Sequence, residues 1–396
     1  MDTVTANAAL AAVFREEAAR LTALLVRILG DFDVAEDIVQ DALVVALERW
    51  PREGIPDQPG AWLLTVARRR AIDKLRRDVR YHEKLAQLDQ PERSASDDRL
   101  RLIFTCCHPA LSREAQVALT LRTVCGFTPD EIAAAFLTSE ATIAQRLVRA
   151  RRKIRAAAIP YRIPDAGELN ERLGEVLAVL YLMFNEGYLT SAGEQPERRD
   201  LAEEAEWLAA LLLRLMPTEP EVMGLSALIR LHRARARSRF DAEGRLVLLR
   251  DQDRSQWDRP AIAAAADLVV TASRLRRPGP YQLQAAIIAC HAESPSWERT
   301  DWLQIFLLYQ TLLAHDPSPV VRLNRAIALR YVSGPEAALR DVDTLREALG
   351  RYHLYHATRA ELLRELGRLT EARHADAAAL QLTANPAERA LLEQRL

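Results

Sequence analysis

Between Ala141 and Ala158 the chain carries Arg146, Arg149, Arg151, Arg152, Lys153 and Arg155 and no acid to balance them. Drawn as a helix, this stretch puts Ile143, Leu147 and Ala150 or Ile154 on one face and Thr142, Gln145, Arg146, Arg149 and Arg152 on the other. Hydrogen-bonding groups near a helix start suit base edges, and guanidiniums further along suit phosphates. That is the chemistry of duplex DNA binding, not of bond making.

Other residues that could do chemistry have less around them. Asn185, Glu186 and Tyr188 end an apolar run, LYLMFNEGY, where a carboxylate and a phenol meet a hydrophobic setting. No second carboxylate, histidine pair or nucleophile with a base lies near in sequence, so we expect an interdomain contact rather than catalysis, and no enzyme. Gly187 is placed to cap that helix. The cysteines, Cys106, Cys107, Cys125 and Cys290, make no disulfide framework in a chain of 396 residues. Adjacent Cys106 and Cys107 chelate a metal awkwardly even with His108 beside them, so buried structural thiols are expected and neither metal nor cofactor is.

The basic face needs a scaffold, and the preceding residues supply one. Thr128-Pro129-Asp130-Glu131 is a capping box with proline at the first helical position, which predicts a short helix ending near Phe136. Leu137-Thr138-Ser139 is long enough only for a turn, and Ser139 or Thr138 can cap the next helix, Glu140 to about Ala156. The spacing is that of a helix-turn-helix.

Upstream, apolar periodicity predicts helices from Thr5 to Leu29, from an Asp33 N-cap to Trp50 with Pro51 as the stop, and from Ala61 to about Arg80. The formal net charge of -1 hides a segregation: Asp31 to Glu53 is mostly acidic, Arg146 to Arg155 almost wholly basic. Residues 82–98 are polar and read as a linker. Prolines at both ends of Ile159 to Pro164 mark a second boundary. Beyond it, Pro217, Pro317 and Pro386 follow apolar helices, and Gly334 and Gly367 recur where helices meet, a spacing of helix pairs like tetratricopeptide repeats. FDAEGRLVLL reads as a turn or short hairpin. The expected fold is all-α: two small helical domains, 8–81 and 99–158, then a larger TPR-like α-helical repeat domain, 165–396. No apolar run has the length of a membrane span, and MDTVTANAAL is no signal peptide, so a cytoplasmic location without membrane contact is expected.

The acidic helix DVAEDIVQDALVVALERW followed by AWLLTVARRRAIDKLRR resembles the first conserved domain of extracytoplasmic-function (ECF) RNA polymerase sigma factors, and the helix-turn-helix with its RARRKIR ending resembles their second. LYLMFNEGYLTS and the terminal YHATRAELLRELGRLTEA look like the subgroup with a long tetratricopeptide-like extension. The resemblance implies core RNA polymerase and promoter DNA as partners. It implies that Asp37, Gln40 and Asp41 bind the polymerase clamp, and that Arg68, Arg69, Arg70, Lys74, Arg76 and Arg77 track the −10 element. Ser139, Thr142, Gln145, Arg146, Arg149 and Arg152 would meet the −35 element. It departs at Arg69, where many members carry asparagine. In the linker, Asp89, Glu92, Asp97 and Asp98 would run toward the RNA exit path. The C-terminal domain is expected to regulate in cis and to offer a site for a regulatory protein or ligand. The alternative is a stand-alone helix-turn-helix regulator whose TPR-like domain binds a ligand or partner.

Overall fold

A computed structural model describes Glu17 and residues 20–75, 95–136, 138–165, 167–188, 199–241 and 245–396. The described secondary structure is helical, with one isolated bridge. The chain divides into two compact units, Met1–Leu180 and Tyr181–Leu396.

In the first unit α1 (residues 20–29) precedes α2 (Phe32–Glu53) and α3 (Pro59–Leu75). Leu21, Leu25 and Ile28 of α1, Ile38, Ala42 and Ala46 of α2, and Leu63, Ala67 and Ala71 of α3 are buried. Small residues on facing helices let the backbones approach, and Trp50 meets Trp62 edge to face at 5.5 Å.

Two local expectations are corrected here. The N-cap of α2 is Asp31, whose carboxylate accepts from the Asp33 and Val34 amides, so the helix starts earlier than an Asp33 cap requires and Asp33 is left for other partners. Pro51 does not stop α2, which continues to Glu53 and is closed by Gly54. A proline in the last turn removes a single backbone bond, too little to end a helix already anchored by Trp50.

The segment after residue 75 lies outside the described residues until α4 (Ala95–Cys106), which takes in Asp98. Next come α5 (Arg113–Thr123), α6 (Pro129–Ala135) and α7 (Glu140–Ala156). Their core is Leu102, Ile103, Phe104, Val117, Leu121, Ile132, Ile143 and Leu147. Cys106, Cys107 and Cys125 are buried within it as free thiols. Burial pushes the Cys107 thiol up to about 12, and its sulfur lies 3.5 Å from Thr120 Oγ1.

Helix α8 (Leu169–Tyr188) begins in the first unit and ends in the second. Its first half is tied to α4 and α5: Arg172 donates to the Phe104 carbonyl at 2.6 Å and Arg113 pairs with Glu175 at 3.0 Å. Gly187 does not cap α8. It lies inside the helix, buried, and is not among the glycines of positive φ, so it makes no left-handed turn there.

The second unit contains α9 (Arg199–Leu215), α10 (Pro220–Arg233), α11 (Arg259–Arg274), α12 (Pro280–Glu293), α13 (Trp302–His315), α14 (Pro319–Ser333), α15 (Pro335–Asp343), α16 (Arg346–Leu349), α17 (His353–Glu365), α18 (Leu369–Leu382) and α19 (Pro386–Glu393). Its core is a series. Leu228, Trp257, Ile262 and Ala285 form one cluster, Ile287, Ile305, Leu312 and Val321 a second, and Leu323, Val342, Tyr355 and Leu363 a third. Helix α12 contributes to the first two clusters and α14 to the last two, so each helix pair is buried by its neighbours, the logic of a helical repeat. A Cβ on Gly224 would come within 2.5 Å of the Gln282 backbone nitrogen, so α10 and α12 can approach this closely only at a glycine. Gly334, at φ +88°, joins α14 to α15 without an intervening loop. Within FDAEGRLVLL, Phe240 is bridged antiparallel to Leu246 and the Val247 amide donates to the Arg239 carbonyl at 2.7 Å. Among the described residues no helix is long and apolar enough to cross a membrane.

Candidate nucleic-acid interface

The helix-turn-helix forms as its capping residues require. The Thr128 amide donates to Glu131 Oε2 at 2.7 Å, and the Glu131 amide returns to Thr128 Oγ1 at 3.4 Å. Ser139 caps α7 by accepting from the Thr142 amide at 3.2 Å. Ile143, Leu147, Ala150 and Ile154 all bury, which fixes the rotation of α7 and leaves Ser139, Thr142, Gln145, Arg149 and Arg152 exposed, with Arg146 half-buried beside them. Ser139 Oγ and Thr142 Oγ1 are 2.7 Å apart, and Arg149 donates to Gln145 Oε1 at 3.5 Å. The first turns therefore present polar groups and the last turns guanidiniums, on one open face.

Two basic residues of α7 point elsewhere. Arg151 pairs with Asp33 at 2.9 Å and also with Glu36, while Arg155 reaches the other Asp33 oxygen at 2.7 Å. Arg122 of α5 joins the same cluster, 2.6 Å from Glu36 Oε1. Burial works to raise the Asp33 pKa, but the hydrogen bonds and charges of Arg155 and Arg151 outweigh it and hold the carboxyl below its ordinary range. In the sequence these arginines stand only as members of the basic run between Ala141 and Ala158. The signal was present in their four-residue spacing, one helical turn, which matches the three-residue spacing of Asp33 and Glu36.

Further along α2, Asp37, Gln40 and Asp41 are exposed on one stripe. Val44 and Leu47 extend it, 51% and 56% exposed. Two large apolar side chains thus stand in solvent beside three polar ones. Periodicity could not single them out, because a helix of mixed apolar residues offers several faces.

On α3, Arg69 and Arg70 are exposed and Arg68 is half-buried. Lys74 belongs to the helix backbone. Arg76 and Arg77 lie outside the described residues, as do Asp89 and Glu92. Asp98 is in α4, 1% exposed, and pairs with Arg27 at 2.9 Å and Arg101 at 2.7 Å.

The family model described as Sigma-70 region 2 matches residues 13–81, and that described as Sigma-70, region 4 matches residues 101–154. The ECF RNA polymerase sigma factor SigL of Mycobacterium tuberculosis is 33% identical over 152 residues, which are 36% of this chain and 85% of that protein. The chain belongs to the extracytoplasmic-function RNA polymerase sigma factors.

This sigma factor extends beyond the shared regions. The probable ECF sigma factor SigI of M. tuberculosis is 29% identical over 168 residues, 39% of this chain and 57% of its own length. An uncharacterized protein, R00370 of Rhizobium meliloti (strain 1021), is 48% identical over 386 residues, 94% of this chain and 91% of the relative, so the extension is shared. Residues 172–273 match a family of unknown function (DUF6596). No solved structure matches the chain.

Within that extension, Tyr188 packs in the second unit. Its carbonyl accepts from Arg239 at 2.6 Å, and its ring stacks on Phe184 at 5.2 Å. His232 lies edge-on to it at 5.0 Å. Burial and the charges of Arg235 and Arg239 hold His232 well below its ordinary pKa, and thus neutral. Glu186 is half-buried and Asn185 exposed. Among the described residues no group of His, Cys, Asp and Glu side chains gathers as a metal site.

Proposed function

We propose that this sigma factor binds core RNA polymerase through the α2 stripe and directs initiation by gripping two promoter elements, the −10 element with α3 and the −35 element with α7. The observation that carries the reading is the pairing of two open faces on one chain: Asp37, Gln40, Asp41, Val44 and Leu47 on α2, and Thr142, Gln145, Arg149 and Arg152 on α7. A mixed acidic and apolar stripe suits a basic protein partner, and a polar start with a basic finish suits a major groove. Arg68, Arg69 and Arg70 supply a cationic track for a DNA backbone, with sequence-independent strength. It performs no covalent chemistry.

The C-terminal helical repeat acts in cis on this activity, in the reading proposed here. Truncation is best made after Tyr188, since the first half of α8 is bonded to α4 and α5 and a cut at residue 165 would strip Arg172 and Glu175 from their partners. Reconstituted transcription with core enzyme and promoter templates tests both parts. Full-length protein should support initiation without another sigma factor, and the truncated chain should change its yield. A protein that binds promoter DNA but never co-purifies with core enzyme would instead be a stand-alone regulator.

A further inference from the structure

Arg230, Arg233 and Arg237 follow one another at helical spacing along the end of α10 and the single turn Ala236–Ser238 after it, and all of them line one cleft of 650 Å³ in the second unit. We propose that this cleft binds a small phosphate monoester, whose oxygens meet Arg230 and Arg237 and whose carbon body lies on Trp257 and the alanines beside it. That such a ligand tunes the cis effect of the extension rests on the reading proposed above; that it binds does not.

The guanidiniums differ in what they already hold. Arg233 is taken by Glu203 at 3.3 Å and Glu206 at 3.0 Å. Arg230 is half-buried and Arg237 exposed, and neither guanidinium has an ion pair or hydrogen bond among the described residues. A guanidinium partly withdrawn from water without a counter-charge is costly, and an oxyanion in the cleft removes that cost. The acids on the cleft walls are engaged: Glu206 with Arg233, and Asp258 with the Ala261 amide at 3.0 Å as the N-cap of α11. A carboxylate ligand brings a single charge, enough for one fork. A phosphate monoester brings nearly twice that and three terminal oxygens, enough for both.

The cleft is formed before any ligand arrives. The Asp258 amide donates to the Ala234 carbonyl at 2.9 Å, which fastens the start of α11 to the end of α10. Between them the Trp257 indole N–H donates to Ser238 Oγ at 2.7 Å, and the Arg254 guanidinium lies 4.6 Å from the ring centroid. Arg254 is itself anchored on the carbonyls of His291 and Ser294, at 2.7 and 2.6 Å. Walls held in this way lose little freedom on binding. Ala234, Ala261 and Ala264 keep the floor apolar and the volume open, at the size of a small-molecule site.

The field suits an anion, and its extent suits a small one. Burial first, and then the charges of Arg235, Arg239 and Arg254, keep His232 and His291 neutral, so the surroundings of the cleft are already rich in positive charge. The free cationic stripe is short, however, with Glu206 from α9 on one wall and Asp258 from the start of α11 on the other. A nucleic-acid backbone laid across it meets carboxylates as well as arginines, whereas a single phosphate can sit between them.

Isothermal titration calorimetry of the full chain with phenyl phosphate and with phenol tests the site. Phenyl phosphate should bind the parent at millimolar concentration or below, and phenol should not. Arg230→Gln with Arg237→Gln should weaken phenyl phosphate at least about tenfold, the loss of one charged hydrogen bond. Arg274→Gln, which removes an exposed arginine at the far end of α11, should leave it unchanged. Ala264→Phe, an exposed position where the ring fills the cleft and spares every arginine, should abolish binding, and it decides if the double variant does not fold. No binding of phenyl phosphate to the parent, phenol binding equally well, or parental affinity in the double variant overturns the site. So does a short DNA duplex that loses as much affinity as phenyl phosphate in the double variant, since the arginines then belong to a nucleic-acid surface. The titrations need neither polymerase nor promoter, so the site is judged apart from the cis role of the extension.

Discussion

The Arg239 guanidinium lies 3.5 Å from the centroid of the Tyr188 ring while donating to that residue's own carbonyl at 2.6 Å. One cation thus holds both the face of the ring and the end of helix α8. A guanidinium 5% exposed needs such partners, because a buried charge without them is costly. Tyr188→Phe should therefore be close to neutral, whereas Tyr188→Ala should destabilise the second unit by about 2 kcal/mol or more. Urea unfolding of the full chain measures both, and equal losses for the two variants would show that the hydroxyl rather than the ring matters.

On α7 the proposed base-reading and phosphate-gripping roles separate by position. Gln145→Ala should relax sequence preference, with a cost of about 1–3 kcal/mol confined to the preferred site. Arg149→Ala should weaken all duplexes alike and lower the slope of log affinity against log salt by about 0.9. Titrations of preferred and scrambled duplexes at several salt concentrations distinguish them, and a uniform effect from Gln145→Ala would remove it from base reading.

Charge reversal on the α2 stripe, Asp37→Lys with Asp41→Lys, should weaken core polymerase binding at least tenfold, about 1.4 kcal/mol, while short-duplex binding stays unchanged. Both side chains are exposed, so the fold should not suffer. Pull-down and fluorescence anisotropy give the two readings. Parallel loss of both would point to misfolding or to a different partner face.

Burial and the charges of Arg235 and Arg254 depress His291 to about 3. In the unfolded chain it titrates near its ordinary value of 6.5. Below that value the unfolded state binds a proton that the folded state refuses, so stability is complete above it and falls as pH drops toward 3, by about 1.4 kcal/mol per pH unit for each such histidine. His232, depressed in the same sense, adds to the slope. Thermal unfolding of the second unit between neutral and acid pH should show it, and His291→Gln should flatten it. A flat profile in the parent would mean that these rings accept protons when folded.

Local chemistry was legible where a few neighbouring residues decide the outcome. Thr128 and Glu131 cap α6 as their spacing demands, and the apolar period of Ile143, Leu147 and Ile154 turns α7 so that Gln145 and Arg149 face solvent. Helix ends were less legible. Asp31 and Asp33 compete as caps, and the choice is made by which residue adopts extended backbone and receives the amides, which the side chains of both permit. Gly187 was read as a helix cap, yet α8 runs past it to Tyr188 without a left-handed turn.

The sequence by itself determined the helical architecture, the helix-turn-helix and the exposed face of its second helix, because capping, periodicity and charge act within a few turns of chain. Only the tertiary structure decided which basic residues stay open and which are held, since Arg151 and Asp33 are 118 residues apart and their meeting depends on how separate helices pack. It also decided that Val44 and Leu47 stand in solvent and that Tyr188 lies under Arg239. Periodicity names the faces of a helix, but the packing of other elements against it selects the face that water keeps.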